Sequence, residues 1–163
     1  MIITPDQLKK AHYWASDLGC LNRSIRKGEG NVYGFLGEFL VADLIGAEWV
    51  NGGDKPSYDY DLLFKGHRID VKTKSCTSEP QPSYLVSIMP YYCQKCDYYA
   101  FARVLSNCSM GWYLGSIKTE EFMDRAKFYK KGEVDPSSAF GWTFKADGYH
   151  LPISELTIPD FLK

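Results

Sequence analysis

A chain of 163 residues with 45% hydrophobic and 15% aromatic content is long enough for one domain with a real core, too short for two comfortable ones, and too apolar to be disordered. The formal net charge of −1 excludes a general attraction to polyanions, so nucleic-acid binding must come from local cation clusters. Three such clusters stand out: Arg23/Arg26/Lys27, Lys65/Arg68/Lys72/Lys74 and Lys127/Lys130/Lys131. Met1-Ile2-Ile3 meets Thr4-Pro5-Asp6 at once and no long apolar segment follows, so the expectation is a cytoplasmic protein with no membrane association and reduced thiols. The odd cysteine count of 5 speaks against a disulfide framework. Cys93-Gln94-Lys95-Cys96 has half of a zinc-ribbon spacing but no second pair, which favours buried thiols over zinc.

Thr4-Pro5-Asp6-Gln7 is a capping box with proline at the first helical position. Leu8, Ala11, Trp14, Ala15 and Leu18 continue it as an apolar stripe, and Gly19 ends it. The basic segment Cys20–Asn31 reads as a loop beside a substrate, with Arg26 and Lys27 as nucleic-acid contacts. A second helix is expected over Val32–Ile45, stopped by Gly46, with Phe35, Leu36, Phe39, Leu40 and Leu44 as its main buried face. Gly34, Glu38, Val41 and Ile45 form another strip of that helix. An acid between glycines and aliphatics is poorly placed as a solubilising charge, and glycines permit close approach of another chain segment. Glu38 is therefore a candidate metal ligand, the bland alternative being an ion pair with a nearby cation.

After a short strand over Ala47–Asn51 and the loop Gly52-Gly53-Asp54-Lys55-Pro56, two runs of period-2 alternation flank Lys65-Gly66-His67, the pattern of a β-hairpin. In the first run Tyr58, Tyr60, Leu62 and Phe64 share one face and Asp59, Asp61 and Leu63 the other. In the second, Ile69, Val71 and Thr73 oppose Arg68, Asp70, Lys72 and Lys74. A turn at Lys65-Gly66 puts Asp61 opposite Asp70, and one at Gly66-His67 puts it opposite Lys72. Either way both acids and the lysine share a face, with directly opposed Cβ atoms about 5 Å apart, a separation that suits two carboxylates holding one divalent cation. Asp59 has the same parity but lies one step further from the turn, so Asp61 ranks above it.

An acid-x-Lys triplet occurs at chance frequency in such a composition, and its weight here comes from its place on a hairpin with a second acid on the same face. On those residues the chain resembles the PD-(D/E)XK nuclease superfamily, whose signature is an acid on one strand and (Asp/Glu)-x-Lys on the next. Asp61 matches the first acid, Asp70-Val71-Lys72 the triplet, and Gly34-Phe35-Leu36-Gly37-Glu38 the Gly-x-x-Gly-Glu often found upstream. The chain has no Pro-Asp doublet. The resemblance implies a single α/β domain with a restriction-endonuclease-like mixed β-sheet flanked by helices. It further implies a metal-dependent endonuclease acting on DNA, with the Val71 carbonyl completing a metal sphere.

Beyond the hairpin, the Ser-, Thr- and Pro-rich Ser75–Ser83 reads as a substrate-side loop. Tyr84–Met89, Asp97–Val104 and Trp112–Ile117 read as strands, the second apolar enough to be central. Thr119 is expected to cap a short helix, with Glu120 and Glu121 in its first turn. Lys127–Gly141 is a polar stretch, and Trp142–Ala146 with Tyr149–Ile153 suggests a terminal hairpin around Asp147-Gly148. Trp142, Phe144 and Tyr149 read first as core and, if exposed, as a stacking surface for bases. Of the histidines only His67, at the hairpin tip, lies where a substrate would pass.

Phosphodiester hydrolysis needs charge neutralised on the phosphate, a hydroxide near neutral pH and a stabilised leaving oxygen. Mg²⁺ or Mn²⁺ on Asp61, Asp70 and Glu38 would meet the first two needs, since hard oxygen ligands suit those ions and leave positions for water and phosphate. Lys72 would orient the attacking water, stabilise the transition state or, if desolvated, move a proton. Lys74 and Arg68 would contact phosphate. Two other readings are a nuclease-like module that binds nucleic acid or a protein without cutting, and a surface hairpin whose charges merely pair. The sequence leaves open whether two copies act as a homodimer.

Overall fold

The Thr4 box closes as its chemistry requires: the Gln7 N–H donates to Thr4 Oγ1 at 3.2 Å, the Thr4 N–H donates to Gln7 Oε1 at 2.9 Å, and α1 runs over Pro5–Leu18. These contacts, and all that follow, belong to a computed structural model that describes residues 1–18, 31–50, 59–90, 95–138 and 140–158. Helix α2 spans Asn31–Ile45 and ends at Gly46, whose φ of +69° is the left-handed geometry that releases the chain from a helix. Phe35, Leu36, Phe39 and Leu40 are buried as their spacing predicts. Leu44 is not: it is 49% exposed, while Val41 is fully buried. The helix is packed between α1 and the strands, so its core strip follows Val41 into the sheet.

The strands, in chain order, are β1 (Glu48–Trp49), β2 (Leu62–Phe64), β3 (His67–Cys76), β4 (Leu85–Ile88), β5 (Tyr98–Leu105) and β6 (Gly111–Lys118). Helix α3 (Thr119–Arg125), β7 (Lys127–Tyr129) and β8 (Gly148–Pro152) complete the described elements, with a 3₁₀ turn at Ile153–Glu155. They form a five-stranded mixed sheet ordered β1-β2-β3-β5-β6 and a three-stranded sheet ordered β4-β8-β7. The protein is therefore α/β. Strand β5, buried from Tyr98 to Val104, is central, running parallel to β3 and antiparallel to β6. No helix among the described residues is long and apolar enough to cross a membrane.

Two expectations about the last third of the chain are corrected. β8 pairs with β4 on one side and β7 on the other, which leaves no position for Trp142–Ala146 as its hairpin partner; that segment instead bridges back through Val134 and Thr143. Thr119 is the first residue of α3 rather than its cap, and its hydroxyl donates to the Cys96 carbonyl at 3.0 Å.

The main sheet has two differently clothed faces. Leu62, Ile69, Val71, Ala100 and Ala102 pack with Leu40 and Val41 of α2. On the opposite face Tyr99, Phe101 and Ile117 pack with Phe122 of α3 and with Val86, Ile88 and Leu151 of the small sheet. Close approach of α2 to β3 depends on Gly37, because a Cβ there would lie 1.8 Å from Thr73 Oγ1. A Cβ at Gly34 would meet nothing within 4 Å, so only one of the two glycines serves packing, and it serves against a side chain. Gly37→Ala should accordingly lower stability by about 1–3 kcal/mol, with partial recovery on adding Thr73→Ala. Gly34→Ala should hold or raise it by up to about 1 kcal/mol through helix propensity. Thermal melts of the three variants check this, and equal shifts for both glycines would refute it.

Candidate functional site

The hairpin turn is Lys65-Gly66, with φ of +48° and +82° at its two residues and pairs Phe64↔His67, Leu63↔Arg68 and Leu62↔Ile69. Pairing stops there, after only three residues of β2. One further step in register would set Asp61 against Asp70. Instead the Asp61 N–H donates to the Ile69 carbonyl at 3.0 Å, and Asp61 Oδ2 accepts the Val71 N–H at 2.7 Å. A carboxylate thus takes the backbone donor that a longer β2 would have satisfied. The expected alternation over Tyr58–Phe64 breaks at this point. Tyr60 packs with the cluster containing Val86 and Ile117, whereas Leu62 and Phe64 pack on the α2 side; Tyr58 lies outside the described residues.

Asp70 and Lys72 stand on one face of β3. Their register partners on β5 are Tyr99 and Phe101, which places them on the face away from α2. Lys72 Nζ lies 2.6 Å from Asp70 Oδ2, with the aspartate side chain 2% and the lysine side chain 27% exposed. Glu38 comes from the other side. It is buried on α2, and its Oε2 accepts the Trp49 indole N–H at 2.7 Å. Asp61, half-buried at the end of β2, is close enough to feel both. Its pKa is raised well above the ordinary carboxylate value, first by burial, then by the charges of Glu38 and Asp70, against the opposing pull of the Val71 N–H and Lys72.

The other expected residues divide. In an extended strand a residue's N–H and C=O point to the same side, so the Val71 carbonyl faces the side from which Asp61 reaches in, while its side chain is core. Lys74 continues the Asp70–Lys72 face and is exposed. Arg68 is engaged by Asp97 through its backbone N–H at 2.8 Å and its guanidinium at 2.8 and 3.2 Å. His67 packs its ring 5.5 Å from Tyr98. Arg26, Lys27 and Cys93 lie outside the described residues; Cys96 is buried, its thiol 3.4 Å from Thr119 Oγ1.

Trp49 and Asp97, which hold Glu38 and Arg68, carry no sequence signal that marks them. Among the described residues no group of three His, Cys, Asp or Glu side chains is gathered as a ready-made metal cage. Each acid has drawn in a donor of its own: Trp49 for Glu38, Val71 for Asp61 and Lys72 for Asp70.

No family model and no curated protein matches this chain. What the site can do therefore follows from its chemistry. The carboxylates from α2, the start of the hairpin and β3 are hard oxygen donors of the kind Mg²⁺ or Mn²⁺ takes, and Asp61 is raised first by burial and then by the charges of the other two. By donor set and electrostatics the residues fit a divalent ion.

The burial and repulsion that raise Asp61 have a signed effect on stability. A carboxyl whose folded pKa exceeds its unfolded value binds protons more tightly when folded, so the protein loses stability as pH rises from the unfolded pKa, about 3.9 for Asp, through the folded one. Asp61→Asn, whose amide oxygen can still accept the Val71 N–H, should raise the melting temperature of metal-free protein near neutral pH. That gain should fade as pH falls toward 4. An unchanged or lower melting temperature at neutral pH would show that Asp61 is not electrostatically strained.

Proposed function

We propose that this protein is a metal-dependent nuclease that hydrolyses phosphodiester bonds of DNA endonucleolytically, on a restriction-endonuclease-like fold. The observation carrying the proposal is the convergence on one short stretch of sheet of a buried Asp70, its Lys72 partner and an Asp61 perturbed by both Asp70 and Glu38. Clustered carboxylates beside an ammonium are costly for folding alone, and sites of this kind are where pKa values are most strongly moved.

Asp61, Asp70, Glu38 and the Val71 carbonyl would hold Mg²⁺ or Mn²⁺, which when bound would neutralise phosphate charge and lower the pKa of a coordinated water. Lys72, partly exposed, would orient the attacking water and face the extra negative charge that develops on the phosphoryl oxygens. The Asp70 carboxylate at 2.6 Å holds that ammonium in place before substrate arrives. In the reaction the water oxygen bonds to phosphorus, the bond from phosphorus to the leaving sugar oxygen breaks, and a proton passes to that oxygen. Lys74 extends the positive charge along the same face toward the substrate backbone. Trp49 keeps Glu38 aimed from the opposite side.

Plasmid nicking with Mg²⁺ tests the reading. Lys72→Ala should lower the cleavage rate by about 10²- to 10⁴-fold. Because this change leaves Asp70 as a buried charge without its ammonium, Lys72→Gln and a circular-dichroism melt serve as the folding control. Asp70→Asn should abolish Mn²⁺ binding in calorimetry. A folded Lys72 variant with full rate, or undiminished Mn²⁺ affinity in Asp70→Asn, would overturn the assignment. Binding without cleavage by the wild-type protein would select the non-cutting module instead.

A further inference from the structure

The segment from Lys130 to Asp147, excluding Ala139, is outside every helix and strand yet densely hydrogen-bonded to itself. Gly132 N–H donates to the Phe144 carbonyl at 2.8 Å, Phe144 N–H to the Glu133 carbonyl at 2.9 Å and Asp135 N–H to the Trp142 carbonyl at 2.7 Å. Phe144 anchors the base of the loop, its ring centroid 4.2 Å from His150 on β8 and 4.7 Å from Tyr129 on β7. At the far end the order of things reverses. Trp142 is 67% and Phe140 90% exposed.

A tightly bonded loop that spends two large aromatics on solvent is not explained by the core it caps, since Phe144 alone supplies the burial. Its charges are sorted in the same direction. The carboxylates of Glu133, Asp135 and Asp147 accept backbone N–H groups of Lys130, Ser137 and Lys131 at 2.6, 2.8 and 2.8 Å, and so turn toward the loop itself. The ammonium groups of Lys130, Lys131 and Lys145 are exposed, and none takes part in the ion pairs seen among the described residues. The loop also lies on the Asp70–Lys72–Lys74 side of the main sheet. Arg103, the register partner of Lys74, donates to the Leu85 carbonyl of β4 at 3.1 Å, and β4 is paired to β8 beneath the loop.

We propose that Trp142 and Phe140 form a stacking platform for unpaired bases, flanked by lysines that hold the strand's phosphates, so that the substrate carries a single-stranded segment on the active face. The inference rests on the nuclease reading for its substrate class. Exposed aromatic rings on a loop that also carries exposed lysines fit a strand whose bases are open to stack, whereas a paired duplex hides its base faces and offers the loop only phosphate. The lysines would then serve either form of DNA, and the aromatics only one.

Fluorescence anisotropy with a labelled oligothymidylate and a blunt duplex of equal length, in an Asp70→Asn background with EDTA, separates binding from cleavage. Trp142→Ala, and separately Phe140→Ala, should weaken oligothymidylate binding by about 5- to 100-fold while changing duplex affinity less than twofold. Both residues are exposed, so their melts should match the parent. Equal losses on both DNAs, or no loss on either, would overturn the platform. Unchanged oligothymidylate affinity together with a shift from dimer to monomer in sedimentation would also overturn it and make the pair a protein interface. Loss of plasmid cleavage in the wild type, with aromatic-dependent single-strand binding intact, would sink the nuclease reading while leaving this surface standing.

Discussion

A strand that stops short leaves its neighbour's backbone without a partner, and the hydrogen bond from the Val71 N–H to Asp61 Oδ2 at 2.7 Å resolves that deficit with a carboxylate. The rest of the candidate site depends on this one contact. It places an acid at the edge where the α2 side and the opposite face of the sheet are both within electrostatic reach. Glu38 and Asp70, which approach from those two sides, meet in their effect on Asp61. The Val71 amide can hold Asp61 only because the hairpin turn fixes the register at Lys65-Gly66.

The packing around the contact keeps the geometry stiff. Gly37 lets α2 settle onto Thr73, which carries Glu38 down to the sheet, and Trp49 reaches back from β1 to hold that glutamate. On the other face Asp70 sits above Tyr99 in register and takes its ammonium from Lys72 two residues along the same strand. The arrangement concentrates negative charge beside apolar packing, with Asp70 only 2% exposed. Gathering like charges there costs stability rather than adding to it.

The second sheet, which the chain's periodicity did not foretell, has a function in this layout. Through Arg103 to Leu85, and through β8 to Phe144, it ties the lysine-bearing loop to the same side of the main sheet as Asp70 and Lys72. His150 at that junction is buried and its pKa is pushed down to about 4 by desolvation, with Lys74 adding to the shift. Burial therefore favours the neutral form of its ring. The exposed aromatics stand beyond it.

Local patterns determined a good deal of this protein: the capping box that starts α1, the glycine that ends α2, the hairpin around Lys65-Gly66, the central apolar strand and the shared face of Asp70 and Lys72. Each of these rests on interactions within a few residues of sequence, or on a period that the backbone imposes, so the order of residues is sufficient. What only the tertiary structure decided was where pairing ends and what covers each face. Leu44 outside, Tyr60 and Leu62 on opposite sides, β8 between β4 and β7, and Trp49 on Glu38 all depend on partners distant in the chain. A carboxylate standing in for a missing strand leaves no mark on periodicity, because its partner is a backbone amide that every residue but proline possesses.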